Sequence, residues 1–310
     1  MRFHRPLVVA AAAATTVLAA SYGIGSTPNA HAAPTTGSFG TGSLASEVSE
    51  GGPLRILLTN DDGWDAHGIN ATYRALTAAG HDVTMVAPAQ NQSGKSAALD
   101  FQGKLTVLHP NDDPKVYSVS STPVGSAMFG ITEVFKDKKP DLVISGTNVG
   151  SNVGFDTNYS GTVGAAIVAS GSFGIPAIAI STATSRSPEI VPAYEQTADL
   201  LVKILDKGIP QMATGTALNI NYPLLTDGAT APKGLKYTPM SSASAADIGY
   251  NQIDDTTFEI KGARSTVAPA AGTDFAELDA GYVTFTLMKA DRSAEKSGTT
   301  AITNLIISLG

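Results

Sequence analysis

The chain has 310 residues, of which 43% are hydrophobic and 15% are charged, and it carries a net charge of −7 with a pI near 5.2. This length allows a large buried core, whereas the acidic balance without basic clusters excludes a general binder of nucleic-acid polymers. The sequence contains no cysteine. It therefore excludes disulfides, a cysteine-ligated zinc site and a thiol nucleophile.

The N-terminus has the layout of a secretory signal peptide, which we predict to span residues 1–32. Arg2 and Arg5 precede the apolar small-residue run Leu7–Ala20, and Asn29–Ala32 ends in an A-x-A pattern. We predict cleavage after Ala32 and a secreted, extracellular protein. An uncleaved membrane anchor is the alternative, but the apolar run is short against the roughly 20 residues of a bilayer span, so we expect no stable membrane insertion.

Residues 33–52 are rich in Gly, Ser, Thr and Pro, which is typical of a flexible leader. Residues 53–310 are predicted to form one domain. From Leu54 to about Tyr222, strand-like and helix-like runs alternate. The predicted strands are Arg55–Thr59, Asp82–Ala87, Asp141–Ser145, Ala177–Ser181 and Ala217–Tyr222. The predicted helices are Ile69–Ala79, Ser126–Phe135, Thr162–Ser170 and Pro192–Asp206. This alternation predicts βαβ units and an α/β fold with a mostly parallel sheet.

Two regions break the alternation. Leu105–Val119 is predicted to be a β-ribbon inserted between the second strand and its helix. Gly234–Met288 contains short β-type runs at Leu235–Thr238, Thr257–Lys261 and Tyr282–Leu287. We interpret these regions as β-hairpin excursions and a C-terminal β-rich extension of one core. A separate domain is the alternative, although no linker divides it from the rest. Thr299–Leu309 is predicted to be a closing amphipathic helix.

The segment Leu57–Gly63 reads LLTNDDG and places two adjacent carboxylates directly after a strand. Ligands of open α/β sheets bind beyond the carboxyl ends of the strands. Asp61 and Asp62 repel each other there, and a hard divalent cation such as Mg²⁺, Mn²⁺ or Ca²⁺ would offset the repulsion. A polar turn is the alternative, because Asn, Asp and Gly favour turns.

Small polar residues also follow other predicted strands, in the segments Pro88–Ser96 (PAQNQSGKS) and Ser145–Gly154 (SGTNVGSNVG). If these strands neighbour the first, Ser93 and Asn148 converge on Asp61 and Asp62. Two carboxylates, a hydroxyl and an amide oxygen would then form a metal site, which water and substrate oxygens could complete.

Ser160, Gly161 and Thr162 stand at the start of a predicted helix, where free N–H groups favour an anion such as phosphate. Asn60 and Gly94 are assigned to the same phosphate site. Helix capping is the alternative role for the hydroxyl residues. A cation beside an anion site predicts phosphate-ester hydrolysis through a metal-activated water. Patterns of other phosphate or hydrolase sites, namely the P-loop, G-x-G-x-x-G and G-x-S-x-G, are absent from the sequence.

Taken together, six ordered motifs resemble SurE, the stationary-phase survival protein family of 5′/3′-nucleotidases. The resemblance runs from about Leu54 to at least Leu287. The motifs are LLTNDDG, P-x-x-N-x-SG at Pro88–Gly94, PDLVISGTNVGSNVG at Pro140–Gly154, YSGTVGAA at Tyr159–Ala166, LNINYP at Leu218–Pro223 and GTDFAELDAGYV at Gly272–Val283.

The resemblance implies a three-layer Rossmann-like core and a divalent-metal phosphomonoesterase that acts on nucleoside monophosphates. Asp61 and Asp62 match the family's metal-binding and catalytic carboxylates, and Ser93 and Asn148 match its serine and asparagine ligands. The sequence leaves open whether Asp62 is a ligand only or also a base. The resemblance also implies a homodimer or homotetramer.

The sequence departs from the family pattern at several positions around these motifs. His67 replaces a proline, Gln90 and Gln92 stand where an arginine is usual, and Gly125 replaces an aspartate. Two further functions therefore remain as alternatives. The first is a broad acid phosphatase or a short-chain polyphosphatase, and the second is a non-catalytic protein that binds a nucleotide or a cation.

Overall fold

The computed structural model describes residues 52–101, 103–185, 190–226, 228–293 and 299–309. Its strands are β1 Arg55–Thr59, β2 Asp82–Pro88, β3 Val107–Leu108, β4 Val116–Val119, β5 Leu142–Val149, β6 Ala177–Thr182, β7 Thr216–Tyr222, β8 Leu235–Tyr237, β9 Ala246–Gln252, β10 Phe258–Arg264 and β11 Val283–Lys289. Its α-helices are α1 His67–Ala78, α2 Pro123–Phe129, α3 Gly161–Phe173, α4 Tyr194–Leu205, α5 Asp274–Asp279 and α6 Thr299–Ser308.

A nine-stranded sheet with the order β3-β4-β2-β1-β5-β6-β7-β11-β8 forms the centre of the described fold. The six neighbouring strands β4-β2-β1-β5-β6-β7 pair in parallel. β3 pairs antiparallel with β4, and β11 pairs antiparallel with β7. The chain leaves β1 toward β2 and β4 and then returns to β5 on the other side. The gap beyond β1 and β5 is therefore a topological switch point, the usual ligand site of such sheets.

Helices cover both faces of the sheet, which makes the core three-layered. On one face Ile56 and Leu58 of β1 belong to a fully buried cluster with Ile69 of α1 and Leu201 of α4. On the other face Leu57 packs in a cluster with Val163 of α3. Because a parallel strand is buried on both sides, β1 is a continuous apolar run without polar alternation. The predicted Rossmann-like α/β fold is confirmed.

Two predicted boundaries around the site differ from the structure. The predicted helix Ser126–Phe135 instead begins at Pro123, because Thr122 caps it by accepting a hydrogen bond from the Gly125 N–H at 3.0 Å, and it continues as a π-helical turn over Gly130–Val134. The predicted strand Asp141–Ser145 extends to Val149 as β5. Its second half pairs with β6 after a register shift between Ser145 and Asn148.

The C-terminal β segments divide into two groups. β9 and β10 form a separate two-stranded antiparallel sheet, which is the predicted hairpin extension. β8 and β11 instead continue the main sheet beyond β7, and the predicted ribbon β3–β4 forms its opposite edge. The strand β9 was not predicted, because its sequence ADIGYNQ contains Asp and Gly, which strands disfavour.

The predicted helix at Thr299–Leu309 is present as α6, and its apolar side chains, including Ile302, Leu305 and Ile306, are exposed. Among the described residues, no helix has the length and apolar character needed to cross a membrane. The described residues all belong to one compact unit. The predicted signal peptide, the cleavage site after Ala32 and the leader up to residue 51 lie outside the described residues.

Candidate active site at the carboxyl ends of β1 and β5

The turn after β1 is built around the side chain of Asn60, which is fully buried. Its Nδ2 donates a hydrogen bond to the Gly63 carbonyl at 2.8 Å, and the Gly63 N–H donates to its Oδ1 at 3.3 Å. An amide can make both bonds because it carries donors and an acceptor. Asn60 thus fixes the conformation that presents the two aspartates, and its predicted phosphate contact stays a prediction.

The carboxylate of Asp61 lies against the first turn of α3. Its Oδ1 accepts a hydrogen bond from Thr162 Oγ1 at 2.5 Å, and its Oδ2 accepts one from the Gly161 N–H at 3.1 Å. A Cβ atom added at Gly161 would lie 2.8 Å from Asp61 Cβ, so this approach requires glycine. Burial raises the pKa of Asp61, and the hydrogen bonds from Thr162 and Gly161 oppose that rise.

Asp62 occupies a different environment from its neighbour. Its Oδ2 accepts a hydrogen bond from the Val149 N–H of β5 at 2.9 Å, whereas its Oδ1 is buried and has no hydrogen-bond partner in the described part of the chain. Burial raises the pKa of Asp62 to about 6. The charge of Asp61 adds to the rise, and the Val149 N–H opposes it. A buried acceptor without a partner, beside a second carboxylate, fits a hard cation.

The other two predicted metal ligands lie on neighbouring segments. Asn148 is buried near the end of β5, and its Nδ2 donates to the Gly150 carbonyl at 2.7 Å, which fixes the orientation of the amide. Ser93 is exposed in the loop after β2. That loop is tied to the site because the Gln92 N–H donates to the Asp61 carbonyl at 2.6 Å.

The structure therefore places Asp61, Asp62 and Asn148 together at one end of neighbouring strands, as expected, with Ser93 and Gly94 on the adjoining loop. Within the described ranges, no three residues among His, Cys, Asp and Glu are clustered so that they could hold a metal. The predicted ligand set is of another kind, because it combines two carboxylates with a hydroxyl and an amide. Its metal-binding role stays a prediction.

The predicted phosphate-binding residues at the start of α3 already have partners. Ser160 caps the helix, since its Oγ accepts a hydrogen bond from the Val163 N–H at 3.1 Å. The donors of Gly161 and Thr162 point at Asp61. Ser160 is therefore a helix cap, which is the alternative that the sequence left open. The positive end of α3 acts on the carboxylate of Asp61. A phosphate contact for these three residues stays a prediction.

The sequence analysis missed two groups at the site. Tyr194 lies at the start of α4, and burial and the charge of Asp62 raise its pKa. The centroids of its ring and of the His67 ring are 6.3 Å apart, and the two ring planes meet at 23°. Asn152 is the centre of a buried polar network that holds the loop after β5. Its N–H donates to Asn221 Oδ1 at 2.7 Å, and its Nδ2 donates to Ser181 Oγ at 2.9 Å.

These two groups leave different traces in the sequence. Asn221 lies in the LNINYP motif, whose two asparagines, Asn219 and Asn221, were a signal that β7 carries a buried polar pair. Nothing in the sequence around Tyr194 points to Asp62, because the charge of Asp62 acts on Tyr194 only through the packing of α4 against α1.

Residues 56–247 match the family described as "Survival protein SurE". The chain belongs to the SurE family.

Relatives and solved structures of SurE proteins are similar to most of the chain. A protein named "5′-nucleotidase SurE" from Rhodopseudomonas palustris (strain BisA53) is 34% identical over 255 residues, which cover 78% of this chain and 96% of that protein. Its namesake from Nitratidesulfovibrio vulgaris (strain DP4) is 35% identical over 243 residues, which cover 77% and 94%. The crystal structure of the SurE protein from Aquifex aeolicus superposes with a TM-score of 0.66 at 33% identity and covers 79% of this chain and 97% of that one.

These findings confirm the SurE resemblance and the fold class. A 5′-nucleotidase hydrolyses phosphoric monoesters, so the names of the relatives also confirm the predicted enzyme class. Secretion, the bound metal and the homodimer or homotetramer stay predictions.

Proposed function

We propose that this SurE protein is a divalent-metal-dependent phosphomonoesterase that hydrolyses nucleoside monophosphates as a 5′/3′-nucleotidase. The observation that carries the proposal is the pair of adjacent carboxylates at the topological switch point of the sheet, with Asp61 buried and Asp62 half-buried with one buried oxygen. The names of the relatives support the substrate class.

Asp61, Asp62, Ser93 and Asn148 are the residues that would hold the cation, and Mg²⁺, Mn²⁺ and Ca²⁺ all suit their oxygen ligands. When bound, the cation would polarise the phosphoryl group and lower the pKa of a water molecule. The buried oxygen of Asp62 that lacks a partner among the described residues supports this assignment. A cation there would compensate a desolvated acceptor and the repulsion between the two aspartates.

The chain's own residues have separate tasks in this proposal. Asp61 is held in place by Gly161 and Thr162, so its orientation requires no rearrangement during the reaction. Asp62, with a pKa of about 6, is largely ionised at neutral pH and can orient the attacking water or take its proton. The positive end of α3 would stabilise negative charge on the phosphoryl oxygens.

The test is a panel of substrates: 5′-AMP, 3′-AMP, 5′-GMP, an aryl phosphate and tripolyphosphate, each with EDTA, Mg²⁺ or Mn²⁺. We expect phosphate release from the nucleoside monophosphates with metal and none with EDTA. The variant Asp62→Asn should lose activity, whereas Asp255→Asn, an exposed acid in the turn between β9 and β10, should retain it. Binding of nucleotide without any hydrolysis would contradict the proposal, as would a preference for the aryl phosphate or tripolyphosphate.

A further inference from the structure

We propose that Asp274, a buried carboxylate at the start of α5, is a positioning residue for the candidate active site. It holds the segment between β5 and α3, residues 150–160, which we call the β5–α3 connection. Through this connection it fixes the end of α3 that binds Asp61. The inference rests on the proposed phosphomonoesterase function and deepens it, because it assigns the orientation of Asp61 to a residue outside the site.

The Asp274 side chain is fully buried and accepts three hydrogen bonds from backbone N–H groups. Its Oδ1 accepts from Ser241 at 2.7 Å and from Phe275 at 2.8 Å, and its Oδ2 accepts from Gly154 at 3.0 Å. Burial of a carboxylate costs free energy unless such bonds replace its lost hydration. Asp274 therefore joins α5, the segment before β9 and the β5–α3 connection at one buried point.

The contacts of Gly154 leave little freedom where the connection meets this carboxylate. Gly154 has a left-handed φ of 54°, and a Cβ atom there would lie 2.0 Å from the Ala243 carbonyl oxygen, so the position requires glycine. The Phe155 N–H donates to the same carbonyl at 3.2 Å. Asp274 and Ala243 together fix the beginning of the 3₁₀ turn Gly154–Asn158, which leads into α3.

A series of hydrogen bonds leads from Gly154 to the start of α3. The buried Thr157 donates its hydroxyl to the Gly154 carbonyl at 2.7 Å, and the Thr157 carbonyl accepts from the Ser160 N–H at 3.4 Å. Ser160 caps α3 and directly precedes the two residues that donate to Asp61. A shift of Gly154 would therefore move the end of α3 against the Asp61 carboxylate.

A different set of contacts holds the earlier part of the β5–α3 connection. The buried network around Asn152 binds it to β6 and β7. Asp62 accepts its hydrogen bond from Val149, which lies in β5 before the connection. Loss of the bonds to Asp274 should therefore disturb the orientation of Asp61 and leave that of Asp62 in place.

The variants Asp274→Asn and Asp141→Asn form a matched pair that separates positioning from a general loss of stability. Each amide keeps the size of the side chain but has one acceptor oxygen in place of two. Asp141 also accepts a backbone N–H, from Arg55 at 2.8 Å, but it stands just before β5, at the end of the sheet opposite the site. Both variants should melt below the wild type.

The metal requirement distinguishes the two variants. We expect Asp274→Asn to raise the Mg²⁺ concentration for half-maximal hydrolysis of 5′-AMP about tenfold, the size of effect that follows loss of a contact orienting a metal ligand. Asp141→Asn should keep the wild-type requirement. Both are measured well below their melting temperatures, so that the protein is folded. An unchanged requirement in Asp274→Asn, or an equal change in Asp141→Asn, would overturn the proposal.

Hydrogen exchange of the Gly161 amide, followed by NMR in EDTA, tests the positioning without catalysis. This N–H donates to Asp61 at 3.1 Å, so in Asp274→Asn it should exchange about tenfold faster relative to the amide of Leu58 in β1. Asp141→Asn should leave the ratio unchanged. An unchanged ratio in Asp274→Asn would overturn the proposal. Faster exchange in a protein whose wild type hydrolyses no phosphate ester would support the positioning and contradict the proposed function alone.

Thr157→Val tests the next link of the connection and keeps Asp274 intact, including the case in which Asp274→Asn does not fold. The variant removes the hydroxyl that donates to Gly154, so it should raise the Mg²⁺ requirement and speed the exchange of the Gly161 amide. Thr157→Ser keeps the donor and should restore the wild-type value of both. Equal values for the valine and serine variants would show that the connection does not position Asp61.

Discussion

The hydroxyl of Thr162 donates a hydrogen bond to Asp61 Oδ1 at 2.5 Å, which joins the first turn of α3 to the turn after β1. The Gly161 N–H binds the other oxygen of the same carboxylate. Asp61 is thus fully held by a helix end, whereas Asp62 leaves one buried oxygen without a partner among the described residues. Two adjacent aspartates therefore lie in different hydrogen-bonding environments.

The first prediction concerns this link between Thr162 and Asp61. Thr162→Val keeps the shape of the side chain but removes the donor, so the pKa of Asp61 should rise further and the protein should lose about 1 kcal/mol of stability. Thr162→Ser keeps the donor and should retain stability and activity. Thermal melting and the metal concentration for half-maximal activity would measure both effects. If the valine and serine variants have the same melting temperature and the same metal requirement, the hydrogen bond from Thr162 does not stabilise Asp61.

The second prediction compares the two carboxylates in the metal-free protein. From the sequence alone, Asp61→Asn would be expected to relieve repulsion. The structure assigns the larger relief to Asp62→Asn, because an amide there can still accept from the Val149 N–H, whereas an amide at Asp61 loses one of the two hydrogen bonds that the carboxylate accepts from α3. In EDTA at pH 7, Asp62→Asn should melt above the wild type and above Asp61→Asn. A higher melting temperature for Asp61→Asn would contradict this reasoning.

The third prediction is a pH dependence set by Asp62. Its pKa is about 6 in the fold against 3.8 for an ordinary aspartate, so between about pH 4 and pH 6 the folded protein binds more protons than the unfolded chain. The contribution of Asp62 to stability is therefore full below pH 4 and is lost as the pH rises to 6, at about 1.4 kcal/mol for each unit of pKa shift. The stabilising effect of Asp62→Asn on melting in EDTA should grow across this window and then level off. A constant difference from pH 4 to pH 7 would argue against it.

A fourth prediction concerns the N-terminus, which lies outside the described residues. The basic start, the apolar run and the A-x-A pattern favour removal of residues 1–32 during secretion. Mass spectrometry of protein from the culture medium should find Ala33 at or near the N-terminus. Recovery of the protein only from the cytosol, with Met1 intact, would show that this interpretation is wrong.

The sequence was sufficient to predict those features of the fold and the site that depend on neighbouring residues in the chain. The apolar run Ile56–Leu58 predicts a strand buried on both faces, and the two aspartates that follow it predict a polar site at its end. Two outcomes depended on distant contacts and could not be predicted. The donors of Gly161 and Thr162 bind Asp61, which lies in a turn about 100 residues earlier in the chain, and β11 joins the main sheet only because it pairs with β7.

Metal-dependent hydrolysis at Asp61 and Asp62 is the central claim, and phosphate release from 5′-AMP tests it most directly. The wild type, Asp61→Asn, Asp62→Asn and the control Asp255→Asn should be assayed after EDTA treatment and again after addition of Mg²⁺ or Mn²⁺. We expect EDTA to abolish the activity of the wild type and the control, and metal to restore it. Each site variant should remain at least about 10²-fold slower with metal present, as when one preorganised electrostatic group is removed. Wild-type activity that survives EDTA, or full activity in either site variant, would contradict the account.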